Sequence, residues 1–228
     1  MSKLEVIGFD ADDTLWENER FYRLTQAKFA ELLADWAEPD HLAERMNATE
    51  RVNLKTHGYG IKGFTLSLIE TAISVTDGRV PSSVIQQIIE NGQELLGHPL
   101  EQIEGAKDTL EELKSAHKLI LITKGDLFDQ ERKVAQSGLA DLFDQIEIVS
   151  EKTSGIYGRV FAEHRAMMVG NSVKSDVIPA IKAGAHGVHV PHEFEWVMEQ
   201  AEHPTHSERF HLLETISEVP ALVASLES

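Results

Sequence analysis

Apolar residues fall into two kinds of run along this chain. Leu4 to Phe9 is short, bounded and mostly apolar, which predicts a strand buried on both faces. It ends abruptly in Asp10-Ala11-Asp12-Asp13-Thr14-Leu15. Beyond Trp16 the period becomes helical. Phe21, Leu24, Phe29, Leu32, Leu33 and Trp36 recur every three or four residues and predict an amphipathic helix stopped by Pro39. A second helix is predicted from Asp40 to about Lys55 and a third from Ile61 to Val75. A fourth opens at Pro81, a residue suited to the first helical position, and closes at Gly97-His98-Pro99. His57-Gly58-Tyr59-Gly60 reads as a turn whose glycines can take positive φ.

From Gly105 strands return. Ala106 to Ala116 predicts a helix, and Lys118 to Thr123 a buried strand ended by Lys124-Gly125-Asp126. A helix to about Ser137, a weaker strand at Gln145 to Val149 and a strand at Ala166 to Val169 come next. Val173 to Ala183 predicts a helix and Gly187 to Val190 a fifth strand; the tail is mixed, with a last helix from about Ser217. Strands alternating with helices imply βαβ units and a parallel sheet. The expectation is an α/β core built from residues 1–16 and 99–228, with an all-helical domain over 17–98 inserted after the first strand. Hinges are expected near Trp16–Glu19 and Gly97–Gly105.

Composition narrows the function. With 38 acids against 21 bases the formal charge is −17. That excludes a general binder of nucleic acid or anionic membrane, both of which are held by dense positive charge. An anionic substrate must then be met by a few lysines or a metal ion. The absence of cysteine excludes disulfides, thiol catalysis and zinc–thiolate sites. No stretch reaches the ~18 apolar residues of a membrane span. Met1-Ser2-Lys3-Leu4-Glu5 lacks a signal-peptide core, so a cytoplasmic protein is expected. Monomer and homodimer both stay open.

Four predicted strand ends carry Asp10 and Asp12, Thr123 and Lys124, Lys152, and Asn171 with Asp176. A parallel sheet places its strand C-termini along one edge, where open α/β sheets bind ligands. Taken alone, Asp12 or Asp13 has a second reading, as a turn residue capping the next segment. Converged, the carboxylates repel unless something positive neutralises them. Their oxygen donors suit Mg²⁺, which takes one or two carboxylates, waters and a substrate phosphate oxygen. Thr123 offers a hydroxyl to a phosphoryl oxygen, and Lys152 offers it charge. One carboxylate can attack phosphorus to give an acyl phosphate. A second, two residues on, can protonate the leaving oxygen and then deprotonate the hydrolytic water.

Asp10-Ala11-Asp12-Asp13-Thr14-Leu15, Thr123, Lys152 and Gly170-Asn171-Ser172-Val173-Lys174-Ser175-Asp176 together resemble the four motifs of the haloacid dehalogenase-like (HAD) hydrolases. The resemblance implies a Rossmann-like sheet of order 5-4-1-2-3 with a C1-type helical cap. It implies Asp10 as nucleophile and metal ligand, and Asp12 as acid/base with its carbonyl on the metal. Thr123 and Lys152 would hold the phosphoryl group, and Asn171 and Asp176 would complete the Mg²⁺ site. Asn171 stands where the motif usually has aspartate, and Lys124 where asparagine is common. Lys124 either adds phosphate affinity or faces solvent. Halide displacement needs no second acid, so Asp12 points to a phosphohydrolase acting on a small phosphorylated metabolite. A 2-haloacid dehalogenase, a phosphotransferase or mutase, a phosphoacceptor signalling module and a degenerate binding protein are the rivals.

The turn with Tyr59 and Lys62 is either a specificity loop in the cap or an ordinary helix–helix connection. His186 and His189 would lie on opposite strand faces and make poor co-ligands. With His192, His203, His206 and His211 they read as solvated or hydrogen-bonded histidines. Trp16 and Trp36 read as packing residues.

Overall fold

In the computed structural model, which describes residues 3–228, β1 (Val6–Phe9) leads into α1 (Glu19–Leu32), α2 (Pro39–His57), α3 (Ile61–Val75) and α4 (Ser82–Gly97). Next come α5 (Ala106–Lys114), β2 (Lys118–Lys124), α6 (Leu127–Ser137), β3 (Gln145–Val149), α7 (Ser154–Phe161) and β4 (Ala166–Gly170). A π-helical turn over Val173–Val177 then precedes α8 (Ile178–Lys182), β5 (His186–His189), β6 (Phe210–Leu212) and α9 (Val219–Glu227). The chain forms two compact units. One takes in the N-terminal stretch through Glu19, Leu100–Lys124 and Gln130–Ser228. The other takes in Arg20–Pro99 and, less expectedly, the five residues Gly125–Asp129 that follow β2.

The first unit is a six-stranded, wholly parallel sheet of order β3-β2-β1-β4-β5-β6. Read from the far edge, it is the expected 5-4-1-2-3 order with one further strand, β6, beside β5. β1 lies at the centre, Val6 opposite Lys118 on one side and Ala166 on the other. Both its faces are covered, which is why it reads as an unbroken apolar run. Ile7 and Phe9 face Leu119, Leu121, Met167 and Val169, under Leu110 of α5 and Val223 of α9. Val6 faces the other way, with Ile120, Ile122 and Met168, against Tyr157 and Phe161 of α7. Gly8 shares that second face. A Cβ there would lie 3.0 Å from both Met168 Sδ and Phe161 Cζ, so α7 packs closely because this position has no side chain.

The second unit is built on helical periodicity. α3 buries Ile61, Phe64, Leu68 and Ala72, one stripe at three- and four-residue spacing, against Phe29 of α1, Leu42 and Met46 of α2, and Ile88 of α4. Truncating such a leucine to alanine costs about 2–5 kcal/mol. Trp36, expected as packing, is 37% exposed, with the Arg79 guanidinium 5.4 Å from its ring centroid. In the same unit Lys62 pairs with Asp126 at 2.9 Å. Gly60 (φ 109°) runs against the Asp126 backbone, and Tyr59 is half-buried. Among the described residues no helix is long and apolar enough to cross a membrane.

Candidate active site

The site assembles at the C-terminal edge of the sheet, within the first unit. Asp10 directly follows β1, and its amide continues the ladder to Val169 O at 2.9 Å. Lys152 sits between β3 and Thr153, the residue whose hydroxyl caps α7. The Lys152 ammonium donates to Asp10 Oδ1 at 2.5 Å and to Asp176 Oδ1 at 2.6 Å. All three side chains are buried. Asp176 lies in the π-helical turn, where Ser172 N donates to its Oδ2 at 3.0 Å. The Tyr157 hydroxyl donates to Ser175 O at 3.0 Å and approaches Asp176 Oδ1 at 3.4 Å.

One ammonium is thus shared between two buried carboxylates. Burial, with Asp176's charge behind it, pushes Asp10 up to about 7 against the pull of Lys152. Burial alone would lower Lys152, but Asp10 and Asp176 outweigh it and hold the ammonium above the ordinary lysine range. Burial and the same two charges push the Tyr157 phenol up. The trio is therefore short of one positive charge. Asp10 Oδ2 takes no hydrogen bond from any described residue. Hard oxygen donors with a surplus negative charge fit Mg²⁺.

The other expected residues divide. Asp12 Oδ1 accepts from Trp16 Nε1 at 2.7 Å and Lys133 Nζ at 2.9 Å, and Oδ2 from Gln130 Nε2 at 3.1 Å. Thr123 Oγ accepts from the same Gln130 amide at 2.6 Å, which keeps its own proton to donate. Asn171 is half-buried against Thr14: its backbone N–H donates to Thr14 Oγ1 at 3.1 Å, and its backbone carbonyl accepts from His189 Nε2 at 3.0 Å. Lys124, considered for the phosphate, is instead engaged by Glu199 Oε1 at 2.6 Å and Ser175 Oγ at 2.8 Å. Burial opposes ionisation of Glu199, yet Lys124 and the hydroxyls of Ser172 and Ser175 hold its carboxyl below the usual range. Tyr59 and Lys62 belong to the helical unit.

Sequence reasoning missed Gln130, Lys133, Tyr157 and Glu199. A signal existed for the first two, which lie three residues apart on the helix that comes after Thr123. His186 pairs with His211 at 2.9 Å, in keeping with a structural role. His192 is different: its Nδ1 lies 3.6 Å from Asp13 and its Nε2 3.3 Å from Glu17. Among the described residues this is the one histidine–carboxylate group close enough to surround an ion. Asp13 already caps the start of α1, accepting the Asn18 amide at 2.8 Å and the Glu19 amide at 3.0 Å.

Gly170 ends β4 so close to Asp176 that any Cβ would overlap its carboxylate. Gly170→Ala should cost about 1–3 kcal/mol. At about 2–4 °C per kcal/mol for a chain of this size, thermal unfolding will show it. An unchanged Tm would mean that this carboxylate is not held where the structure has it.

A profile of the haloacid dehalogenase-like hydrolases matches residues 4–184. No protein with curated annotation matches the chain. A haloacid dehalogenase-like family hydrolase from Xanthomonas campestris is 41% identical over 98% of this chain and 92% of its own, with a TM-score of 0.87. The HAD-hydrolase YfnB from Bacillus subtilis, in a structure bound to magnesium, is 15% identical over 98% of this chain and all of its own (TM-score 0.68). The 2-haloacid dehalogenase from Pseudomonas syringae pv. Tomato is 18% identical over 98% and 99% (TM-score 0.62). At those last two identities the likeness is one of fold. The profile match and the Xanthomonas relative place this chain in the haloacid dehalogenase-like hydrolase family.

Proposed function

We propose that this hydrolase cleaves phosphate monoesters of small phosphorylated metabolites through an aspartyl-phosphate on Asp10, with Mg²⁺ as cofactor and the helical unit as its cap. The observation that carries the reading is the second acid. Asp12 lies two residues beyond Asp10 in a hydrogen-bond set of its own, linked through Gln130 to Thr123. Displacing halide needs no proton, whereas displacing an alkoxide does.

Asp10 Oδ2 attacks phosphorus while the ester P–O bond breaks and Asp12 gives its proton to the leaving oxygen. Water then attacks the aspartyl-phosphate and passes a proton back to Asp12 as the Asp10–phosphorus bond breaks. Lys152 has three ammonium protons, two on Asp10 and Asp176, and the third can serve a phosphoryl oxygen beside the Thr123 hydroxyl. Asp10, the Asp12 carbonyl and Asp176 would hold Mg²⁺, with Asn171 beside them. When bound, the ion supplies the missing positive charge and polarises the phosphoryl group. A cytoplasmic location belongs to this reading, since such charged metabolites do not cross membranes unaided.

The test is a panel of phosphorylated metabolites with Mg²⁺. Phosphate release that EDTA abolishes is expected. Halide release from 2-chloropropionate with no phosphate release from any ester would overturn the reading.

A further inference from the structure

Asp12 is gripped from α6 by two side chains outside the family's motifs, and the grip is asymmetric. Its Oδ1 meets only donors: the Trp16 indole N–H at 2.7 Å and the Lys133 ammonium at 2.9 Å. Neither group can accept a hydrogen bond, so Oδ1 is fixed as an acceptor. Its Oδ2 meets one partner, the Gln130 amide at 3.1 Å. That amide lies 2.6 Å from Thr123 Oγ and 3.3 Å from Lys124 O, so Oδ2 is the oxygen turned toward the residue assigned to the phosphoryl group. Lys133 is anchored in turn by Asn18 Oδ1 at 2.8 Å. Gln130 and Lys133 are both buried. Buried polar side chains hydrogen-bonded to a single carboxylate hold it in one rotamer.

We infer that Gln130 and Lys133 are positioning residues that fix the Asp12 carboxyl, locking Oδ1 and presenting Oδ2 to the leaving oxygen beside Thr123. The inference rests on the phosphatase reading. Asp12 then delivers its proton from Oδ2 as the ester bond breaks and takes one back at Oδ2 from the hydrolytic water. Loss of either positioning residue leaves the Asp10 attack intact and misplaces the proton.

The leaving group reveals the difference. The 4-nitrophenolate ion leaves with little protonation, and ethoxide cannot. Lys133→Met and Gln130→Met are assayed with Mg²⁺ on 4-nitrophenyl phosphate and on ethyl phosphate. In each variant kcat/KM for ethyl phosphate should fall about a hundredfold, and that for 4-nitrophenyl phosphate by less than about threefold. Lys133→Arg should recover much of the ethyl phosphate rate. Gln130→Asn withdraws the amide by one methylene and serves if a methionine variant does not fold. Equal losses on both substrates would make α6 a merely structural support and overturn the inference while leaving the phosphatase reading in place. A wild-type protein that releases halide from 2-chloropropionate and phosphate from no ester would sink the reading itself, and this inference with it.

Discussion

Replacing Lys152 by methionine should cost about 3–5 kcal/mol of stability near neutral pH, the usual result of removing one partner from a buried ion pair. Here the ammonium serves two carboxylates, Asp10 and Asp176, both buried. Without it they face each other in low dielectric with no compensating charge. The pH dependence has a definite sign. Asp10 titrates at about 7 when folded against an ordinary 3.8, so between those values the folded state holds a proton that the unfolded state has released. Stability from this group is full below about 4 and declines as pH rises through 7. Removing Lys152 takes away the charge that pulls Asp10 down, so the deficit of the variant grows from pH 5.5 to pH 8. Urea unfolding of both proteins at the two values measures it. A deficit of the same size at both would mean that the carboxylates are not what the ammonium compensates.

Asp10→Asn should lose turnover by at least on the order of a thousandfold, since an amide cannot form the acyl phosphate. Its stability should move the other way. The substitution removes one of two acids competing for one ammonium, so Tm without Mg²⁺ should stay level or rise. Loss of activity with gain of stability is the mark of a site held in a costly arrangement for its chemistry. An Asp10→Asn protein that hydrolyses phosphate esters at the wild-type rate would rule out the aspartyl-phosphate route.

Much of the α/β core could be read from the chain, because buried parallel strands print as apolar runs and the residues at their ends share an edge. Asp10, Thr123, Lys152 and Asp176 are strand-end residues of this kind, and the fold carries them to the same edge. The elements that escaped are those without a pattern. β6 is three residues paired with β5 alone. α7 has eight residues, two of them glycine, and so hid Tyr157. Gln130 and Lys133 escaped for another reason: polar residues on a helix read as its wet face unless something distant is known to await them. Lys124 looked like charge available to a phosphate because its partner, Glu199, lies 75 residues further on in an acidic tail.

The turn that carries Asp176 has a consequence for how such a site can change over time. Val173–Val177 is wound more widely than an α-helix, a feature that often marks functional positions. Deleting one residue before Asp176 would let the segment relax to α-helical winding and swing the carboxylate by about 100° around the axis. The acid that shares Lys152 with Asp10 would then point elsewhere, with every other residue unchanged. In this chain the placing of the second carboxylate thus depends on the number of residues in the turn as much as on which residues they are.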